Sequence, residues 1–148
     1  MINIRKAETD DEIDKAVEIQ LAVFSREQGI SEPECREGNE DSVHLLAFDG
    51  HATVATARLR PGCNGEAEVA RIAVLPEFRG AGLGKMLVNG IESVARESGI
   101  DDLVLHPHAY LEGFYSGLGY ARTDDASYVV GEHAIITMRK SLAADKRG

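Results

Sequence analysis

Residues 79–85 (RGAGLGK) form a short glycine-rich stretch with the composition of an anion-binding turn. Glycines let the backbone turn tightly and approach a ligand closely. The stretch precedes a helical pattern, and a helix start offers unpaired N–H groups together with a partial positive charge. Arg79 and Lys85 add two cationic side chains. The sequence therefore predicts an anion site here, most naturally for a phosphate.

Three phosphate-loop patterns compete for this stretch. A Walker loop fails twice, at its first glycine and at the Ser or Thr that should follow its lysine. The dinucleotide-binding pattern G-x-G-x-x-G starts at Gly80 but meets Lys85 where its last glycine belongs. The pattern R/Q-x-x-G-x-G/A is met in full, by Arg79, Gly82 and Gly84.

This third pattern is the coenzyme A pyrophosphate loop of the GNAT superfamily of N-acetyltransferases, which the chain resembles. Residues 71–80 (RIAVLPEFRG) are similar to the family's strand-to-loop signature, and residues 113–120 (GFYSGLGY) to its later FYxxxGF element. The order of helices and strands resembles that of the family from about Ile2 to Lys140. Residues 25–30 (SREQGI), followed by 43–47 (VHLLA), further resemble the ElaA-like subgroup.

The resemblance implies transfer of an acetyl group from acetyl-CoA to a primary amine, on a small molecule or on a peptide or protein. It also implies a set of cofactor contacts, in which β-strand backbone holds the pantetheine arm and the glycine loop holds the pyrophosphate. These contacts are Ile72, Ala73, Val74, Arg79, Gly80, Ala81, Gly82, Leu83, Gly84, Lys85 and His108. His108 stands where many family members carry an asparagine, and it either replaces that donor or simply follows Pro107 at a helix start.

Tyr115, in the later element, is the implied proton donor to the departing sulfur. A phenol with an ordinary pKa near 10 is protonated at neutral pH and can donate. The other interpretation of Tyr115 is a core tyrosine beside Phe114. A function from a different class also fits the loop, namely a catalytically inactive acyl-CoA-binding sensor domain.

Several groups compete for removal of the amine proton. Glu68 lies four residues before Ile72, where some family members carry a catalytic glutamate, and period-two alternation places both on one face of the strand. The alternatives are a solvated surface glutamate at this position, or a base at His106, Glu132 or His133, or ordered water. The acceptor amine could contact side chains that also fit a surface or loop position: Glu27, Glu34, His44, Arg71 and His133.

The pattern of strands and helices that positions these residues predicts an α/β (α+β) fold with a mixed, mostly antiparallel sheet flanked by helices. Strands at 43–48, 52–60 and 66–75 are joined by short turns and should be antiparallel. The helix predicted at 82–98 should make strands 66–75 and 102–106 parallel neighbours, and the resemblance implies that this pair splays. Further predictions are a strand at 2–5, a capping box at Thr9 and Glu12, a loop or short helix at 26–41, a helix at 109–118 and a strand at 133–139.

Composition bounds the remaining possibilities. The 148 residues suit one domain, predicted over 1–140, with 141–148 as a frayed tail. The formal net charge of −9 argues against broad nucleic-acid binding but permits a cationic amine. Two lone cysteines make neither a disulfide framework nor a zinc set, so no metal and a reducing cytoplasm are expected. No secretion core and no apolar run of membrane length is present. Formation of a homodimer is left open.

Overall fold

The computed structural model describes residues 1–123, 128–130 and 133–142. The chain divides into two compact units. The first unit contains Met1–Arg60 and Val69–Val94, and the second contains Pro61–Glu68 and Ala95–Gly148. One domain over residues 1–140 stays a prediction.

The fold is the mixed α/β arrangement that the sequence predicted. Its strands are β1 (Ile2–Lys6), β2 (Val43–Asp49), β3 (Ala52–Pro61), β4 (Glu66–Val74), β5 (Asp102–Leu105), β6 (Ala121–Arg122), β7 (Tyr128–Val130), β8 (His133–Ile135) and β9 (Met138–Ser141). Its helices are α1 (Asp10–Gln20), α2 (Glu32–Arg36), α3 (Leu83–Glu97) and α4 (Glu112–Ser116). A π-helical segment, Leu21–Glu27, continues α1, and 3₁₀ turns lie at Asn39–Asp41, Pro76–Phe78 and Ala109–Leu111.

The main sheet has seven strands in the order β1-β2-β3-β4-β5-β9-β6, and β7 pairs with β8 in a separate sheet. Most neighbours are antiparallel, and β4 with β5 forms the predicted parallel pair. Among the described residues, no helix is both long and apolar enough to cross a bilayer.

In the first unit, local sequence signals fix where the elements begin and how closely they approach. The Thr9 hydroxyl accepts a hydrogen bond from the Glu12 N–H at 3.1 Å, which confirms the predicted helix start at Thr9. The Glu12 carboxylate accepts in return from the Glu8 N–H at 2.9 Å, one residue before the position that a capping box uses. α3 lies close to the sheet at Gly90, where an added Cβ would lie 2.9 Å from a Leu45 side-chain carbon. The glycine-rich loop therefore leads into a helix that packs closely against the sheet at Gly90.

In the second unit, β5 is anchored on both sides. The Gly65 carbonyl accepts hydrogen bonds from the N–H groups of Asp101 and Asp102, at 2.9 and 3.2 Å. On its other edge β5 pairs with β9, with Leu103 opposite Lys140 and Leu105 opposite Met138. The residues just after β5 therefore follow a strand that is hydrogen-bonded on both sides.

The single strand predicted at 133–139 is wrong. β8 ends at Ile135 and β9 begins at Met138, and the two strands belong to different sheets. The residues between them bond elsewhere, because the Ile136 N–H donates to the Pro107 carbonyl and the Thr137 carbonyl accepts from the Thr123 N–H, both at 3.0 Å. Tertiary hydrogen bonds thus override the local strand propensity of this stretch.

Two other predicted boundaries differ from the structure. The helix predicted at 109–118 is a 3₁₀ turn followed by α4, which ends at Ser116. At the C-terminal side, β9 includes Ser141, and the Leu142 N–H donates to the Asp101 carbonyl at 2.6 Å. The first two residues of the predicted tail therefore pair with the β5 side of the sheet, and residues 143–148 lie outside the described residues.

Candidate active site

The loop between β4 and α3 has the backbone of an anion-binding turn. Gly80 and Gly82 take φ angles of +83° and +80°, which L side chains rarely adopt. A Cβ built on either glycine would meet no other atom within 4 Å. Both glycines are therefore required by the turn, and the space in front of them can admit a ligand.

The start of α3 supplies the donors for such a ligand. Leu83 is only 2% exposed and anchors the first turn of the helix. The Met86 N–H donates to the Gly82 carbonyl at 3.2 Å, so helical bonding begins there and the three preceding N–H groups lie at the helix start. Lys85 is exposed on the same turn. Backbone donors, the positive helix end and one ammonium group together fit a pyrophosphate.

Arg79, the first residue of the loop pattern, is engaged by the protein itself. Its Nε donates to the Val74 carbonyl at 2.9 Å, and its Nη2 donates to Glu27 Oε1 at 2.7 Å. Glu27 is the last residue of the π-helical segment. The guanidinium thus ties this segment to the end of β4, and it joins a residue predicted for the cofactor to one predicted for the acceptor.

Arg71, predicted as an acceptor residue, binds α2. Its Nε donates to the Cys35 carbonyl at 3.2 Å and its Nη2 to the Glu34 carbonyl at 3.0 Å. These carbonyls lie in the last part of α2, where a cation is favoured. Arg71 itself has a φ of +52°, so the extended backbone predicted to run from Glu68 to Ile72 is interrupted.

The three β4 residues predicted to hold the pantetheine arm differ in burial. Ile72 and Val74 are partly exposed, whereas Ala73 is 2% exposed. The Ala73 side chain belongs to a core cluster. That cluster contains Ala16, Ile19, Val23, Leu46 and Ala73.

His44, also predicted for the acceptor site, lies in a buried polar network. It is 3% exposed, with Nε2 lying 3.1 Å from the Asn39 carbonyl and Nδ1 lying 3.4 Å from Gln20 Nε2. Because a carbonyl only accepts, Nε2 carries the proton and Nδ1 accepts from the glutamine amide. Burial, assisted by the positive charge of Arg58, lowers the pKa of His44. His44 is therefore held inside this polar network, and its predicted contact with the acceptor amine stays a prediction.

Tyr115 lies in α4 and is 6% exposed. Its ring makes edge-to-face contacts with Phe114 and Tyr120, at centroid distances of 4.9 and 6.0 Å. Burial raises the pKa of Tyr115 to about 12, because the phenolate would lose its hydration. The hydroxyl therefore stays protonated at neutral pH and can donate a hydrogen bond or a proton.

Two residues that competed for the role of base lie together in the second unit. Glu68 Oε2 is 3.7 Å from His106 Nε2, and His106 Nδ1 is 3.2 Å from Thr137 Oγ1. The side chains of Glu68 and His106 are 31% and 34% exposed, so a solute can reach both. Sequence reasoning missed Thr137, because it lies within a stretch that has the pattern of an ordinary strand.

The structure gives less detail for the other predicted residues. His108 is partly buried and stacks on Tyr110 with ring centroids 5.3 Å apart. His133 begins β8, but its side chain is not among those described, and Glu132 lies outside the described residues altogether. Within residues 1–123, 128–130 and 133–142, no three His, Cys, Asp or Glu side chains gather as metal ligands.

Comparison with known proteins gives the class of this protein. The sequence profile of the acetyltransferase (GNAT) domain matches residues 7–142. A protein of Bacillus subtilis (strain 168), provisionally named as an acetyltransferase, is 34% identical over 150 residues, which cover 96% of this chain and 99% of the relative. The chain therefore belongs to the GNAT acetyltransferase family, as the loop pattern predicted.

Solved structures share the fold of this chain. Escherichia coli ElaA has a TM-score of 0.83 at 21% identity, over 95% of this chain and 99% of ElaA. The PaiA N-acetyltransferase of Thermoplasma acidophilum, solved in complex with coenzyme A, has a TM-score of 0.71 at 21% identity, over 95% of this chain and 99% of that one. Because these identities are low, they show a common fold, and membership of the ElaA-like subgroup stays a prediction.

Proposed function

We propose that this protein transfers an acetyl group from acetyl-CoA to a primary amine of a small molecule or a peptide. The geometry of the loop carries the proposal: Gly80 and Gly82 turn with positive φ into the start of α3 and leave open space in front. Family membership supports acyl transfer. The coenzyme A bound to the Thermoplasma acidophilum relative supports coenzyme A as the carrier.

The proposed reaction requires one proton to leave and another to arrive. The amine nitrogen attacks the thioester carbonyl carbon, so that a C–N bond forms and the C–S bond breaks. The nitrogen loses a proton and the departing thiolate gains one. The products are an amide and the free thiol of coenzyme A, and the protein needs a group that accepts a proton and another that donates one.

Tyr115 is the proposed donor. Its pKa of about 12 keeps the phenol protonated throughout the neutral range, and its ring is held by aromatic contacts. Glu68 is the proposed acceptor, since it is an accessible carboxylate on β4. The N–H groups at the start of α3 and the Lys85 ammonium are assigned to the pyrophosphate, with backbone of Ile72, Ala73 and Val74 for the pantetheine arm.

The direct test is transfer itself. Acetyl-CoA is supplied with spermidine, tyramine or a lysine-containing peptide, and the thiol released is measured together with the mass of the amine product. Transfer to at least one amine is expected. Binding of acetyl-CoA without transfer to any of them would favour the alternative function, an acyl-CoA-binding sensor. Absence of binding would refute both functions.

The phosphate role of the loop is tested by Gly82→Ala, with Gly99→Ala as the matched control. Gly82 and Gly99 have φ angles of +80° and +76°, both are exposed, and neither has an atom within 4 Å of an added Cβ. Each substitution should therefore cost roughly 1–2 kcal/mol of strain. Coenzyme A at 100 times its dissociation constant should stabilise the wild type and Gly99→Ala by about 2.7 kcal/mol. Gly82→Ala should lose most of this stabilisation, and equal stabilisation of both variants would refute the assignment.

A further inference from the structure

Four polar side chains of the first unit are joined by hydrogen bonds into a series that we call the amide chain. Arg58 Nη1 donates to Asn39 Oδ1 at 3.0 Å, and Asn39 Nδ2 donates to Gln20 Oε1 at 2.9 Å. Gln20 Nε2 lies 3.4 Å from His44 Nδ1, and His44 Nε2 lies 3.1 Å from the Asn39 carbonyl. Gln20, His44 and Arg58 are at most 3% exposed, so these bonds are shielded from water.

The direction of each bond in the amide chain is set at its two ends. A guanidinium only donates, so Asn39 turns its oxygen to Arg58 and its NH2 group to Gln20. Gln20 then turns its own NH2 group to His44. The Asn39 backbone carbonyl only accepts, so the His44 proton lies on Nε2 and the Nδ1 lone pair accepts from Gln20. The chain therefore fits neutral His44, and it opposes a second proton on Nδ1 with a donor.

The amide chain holds a turn at residues 37–42 on the sheet. Arg58 Nη1 also donates to the Glu37 carbonyl at 2.6 Å. Immediately before this turn, α2 is bound through its carbonyls by Arg71 of β4. His44, Arg58 and Arg71 thus extend from three neighbouring strands, β2, β3 and β4, to one stretch of the chain.

This stretch lies beside the reacting end of the proposed cofactor site. The pyrophosphate is assigned to the loop that follows β4, and the pantetheine arm to the backbone at 72–74. The thioester end of the arm is therefore directed back along β4 towards Arg71, which binds the Glu34 and Cys35 carbonyls of α2. Glu34 is one of the residues predicted to contact the acceptor. On the proposed function, α2 and the turn after it thus border the approach of the amine.

We propose that the amide chain is an acid-sensitive latch: protonation of His44 opens the turn at 37–42 and weakens binding of the amine, whereas binding of coenzyme A is kept. The effect on the amine rests on the proposed function, and the latch itself does not. An imidazolium turns an Nδ1–H towards the NH2 group of Gln20. If Gln20 and Asn39 both turn over to accept it, the Asn39 NH2 group opposes the Arg58 guanidinium instead. Two donors face each other in either case, and opening of the turn removes the conflict.

The surroundings of His44 act in the same direction. Burial, together with the positive charge of Arg58 directly opposite on β3, lowers the pKa of His44. α1 presents the uncharged amide of Gln20. The charged side chains beside these contacts in the sequence are exposed on β1, α1 and the turn: Lys6, Glu18, Glu40 and Asp41. An open turn returns His44 to an ordinary pKa of about 6.5, so opening takes up one proton at any pH between the two values.

The latch is tested by hydrogen exchange of the intact protein at decreasing pH, with no amine present. The N–H groups of Asp41 and Ser42 report on the turn, because both donate at 3.3 Å to carbonyls within it. Below about pH 6.5 their protection should fall by up to about tenfold per pH unit, since opening takes up one proton. The Ile100 N–H in the second unit should keep its protection. Protection of Asp41 and Ser42 that does not change with pH would overturn the latch.

Two variants separate the latch from acid destabilisation in general. His44→Gln cannot titrate. Asn39→Asp reverses the chain, because its carboxylate accepts from Arg58 and from the turned Gln20 amide, whose oxygen then faces the imidazolium. Both variants should keep the turn protected on acidification. Glu40→Gln is the matched control, because it removes an exposed carboxylate from the same turn, and it should respond to acid as the wild type does. A wild-type acid response in both other variants, or loss of the response in Glu40→Gln, would overturn the latch.

The effect on the amine is tested by the KM for the best of spermidine, tyramine and a lysine-containing peptide. The ratio of the wild-type KM to that of Asn39→Asp cancels protonation of the amine itself. It should rise on acidification, by up to about tenfold per pH unit once the open form predominates, because only the closed fraction binds. The dissociation constant of coenzyme A should change equally with pH in both proteins.

The two levels of the inference fail separately. A constant ratio of KM values, found together with the loss of protection, would overturn the effect on the amine. If the wild type acetylates no amine yet its turn loses protection as expected, the proposed function fails and the latch stands.

Discussion

Glu27→Gln should weaken the binding of coenzyme A although the proposed cofactor site contains no atom of Glu27. The Glu27 carboxylate lies 2.7 Å from Arg79 Nη2, and the same guanidinium donates to the Val74 carbonyl at 2.9 Å. Arg79 immediately precedes the loop that turns through Gly80 and Gly82. Loss of the carboxylate removes one of the two contacts that fix this guanidinium, so the loop loses part of its support.

The loss of unfolding free energy caused by Glu27→Gln can be estimated from the exposure of the Arg79 and Glu27 side chains. The side chains of Arg79 and Glu27 are 44% and 35% exposed, so solvent screens much of their attraction. Exposed pairs contribute roughly 0.2–1 kcal/mol, and we expect a fall in unfolding free energy of about 0.5 kcal/mol. In a chain of this size that corresponds to about 1–2 °C in Tm. If the loop bears most of the loss, the dissociation constant of coenzyme A should rise about twofold, at roughly 1.4 kcal/mol per factor of ten.

The assay is calorimetric titration of coenzyme A at about 0.5 M salt, where exposed charges beyond a few ångströms are screened and the contact effect remains. Glu18→Gln is the matched control, because Glu18 also pairs with an arginine, Arg26, at 2.7 Å. It removes the same charge without touching the loop and should leave the affinity unchanged. Tighter or equal binding by Glu27→Gln would refute the reasoning, since it would mean that Arg79 binds the phosphates once its carboxylate partner is removed.

Two other substitutions test Tyr115 and His44. Tyr115→Phe keeps the ring and its aromatic contacts but removes the proton donor, so turnover should fall by on the order of 10²-fold with binding of acetyl-CoA intact. Tyr110→Phe is the control, because Tyr110 is 76% exposed. Full activity of Tyr115→Phe would show that Tyr115 only packs and does not donate a proton. The lowered pKa of His44 means that its contribution to stability is present above its unfolded-state pKa and is lost as pH falls through the folded-state value. On acidification, the unfolding free energy of the wild type should therefore fall more than that of His44→Gln, as measured by denaturation at several pH values. His51→Gln, at an exposed histidine, is the control and should behave like the wild type. Parallel curves of unfolding free energy against pH for all three proteins would contradict this prediction.

The glycine loop could be predicted from the sequence because its information is local. The positive φ angles at Gly80 and Gly82 need glycine, and the helix that follows is marked by its own apolar pattern. The same holds for the helix start at Thr9 and Glu12, where donor and acceptor are three residues apart. Such features depend only on residues that are close in the sequence, so they can be predicted without knowledge of the tertiary structure.

The partners of the charged residues could not be predicted in the same way. Glu27 and Arg79 are 52 positions apart, and no spacing or propensity in the sequence connects them. Thr137 lies in a stretch whose composition favours a strand, and only its bonds to distant backbone groups turn it towards His106. Arg71 has a positive φ that arginine does not favour locally, so nothing in its neighbours predicts that conformation.

Arg71 and Arg79 are two arginines of the first unit whose charged groups contact the protein itself. Both guanidinium groups donate to backbone carbonyls, of Glu34 and Cys35 in one case and of Val74 in the other. The positive φ of Arg71 costs about 1–3 kcal/mol of backbone strain. Well-formed hydrogen bonds from a charged group contribute about 1.5–3 kcal/mol each, so the two bonds of Arg71 are enough to offset this strain. Since Arg79 also faces the carboxylate of Glu27, we assign recognition of the proposed pyrophosphate to backbone N–H groups and Lys85. A loop whose first residue is fixed by the contacts of Arg79 needs less ordering when a ligand binds, so binding costs less conformational entropy.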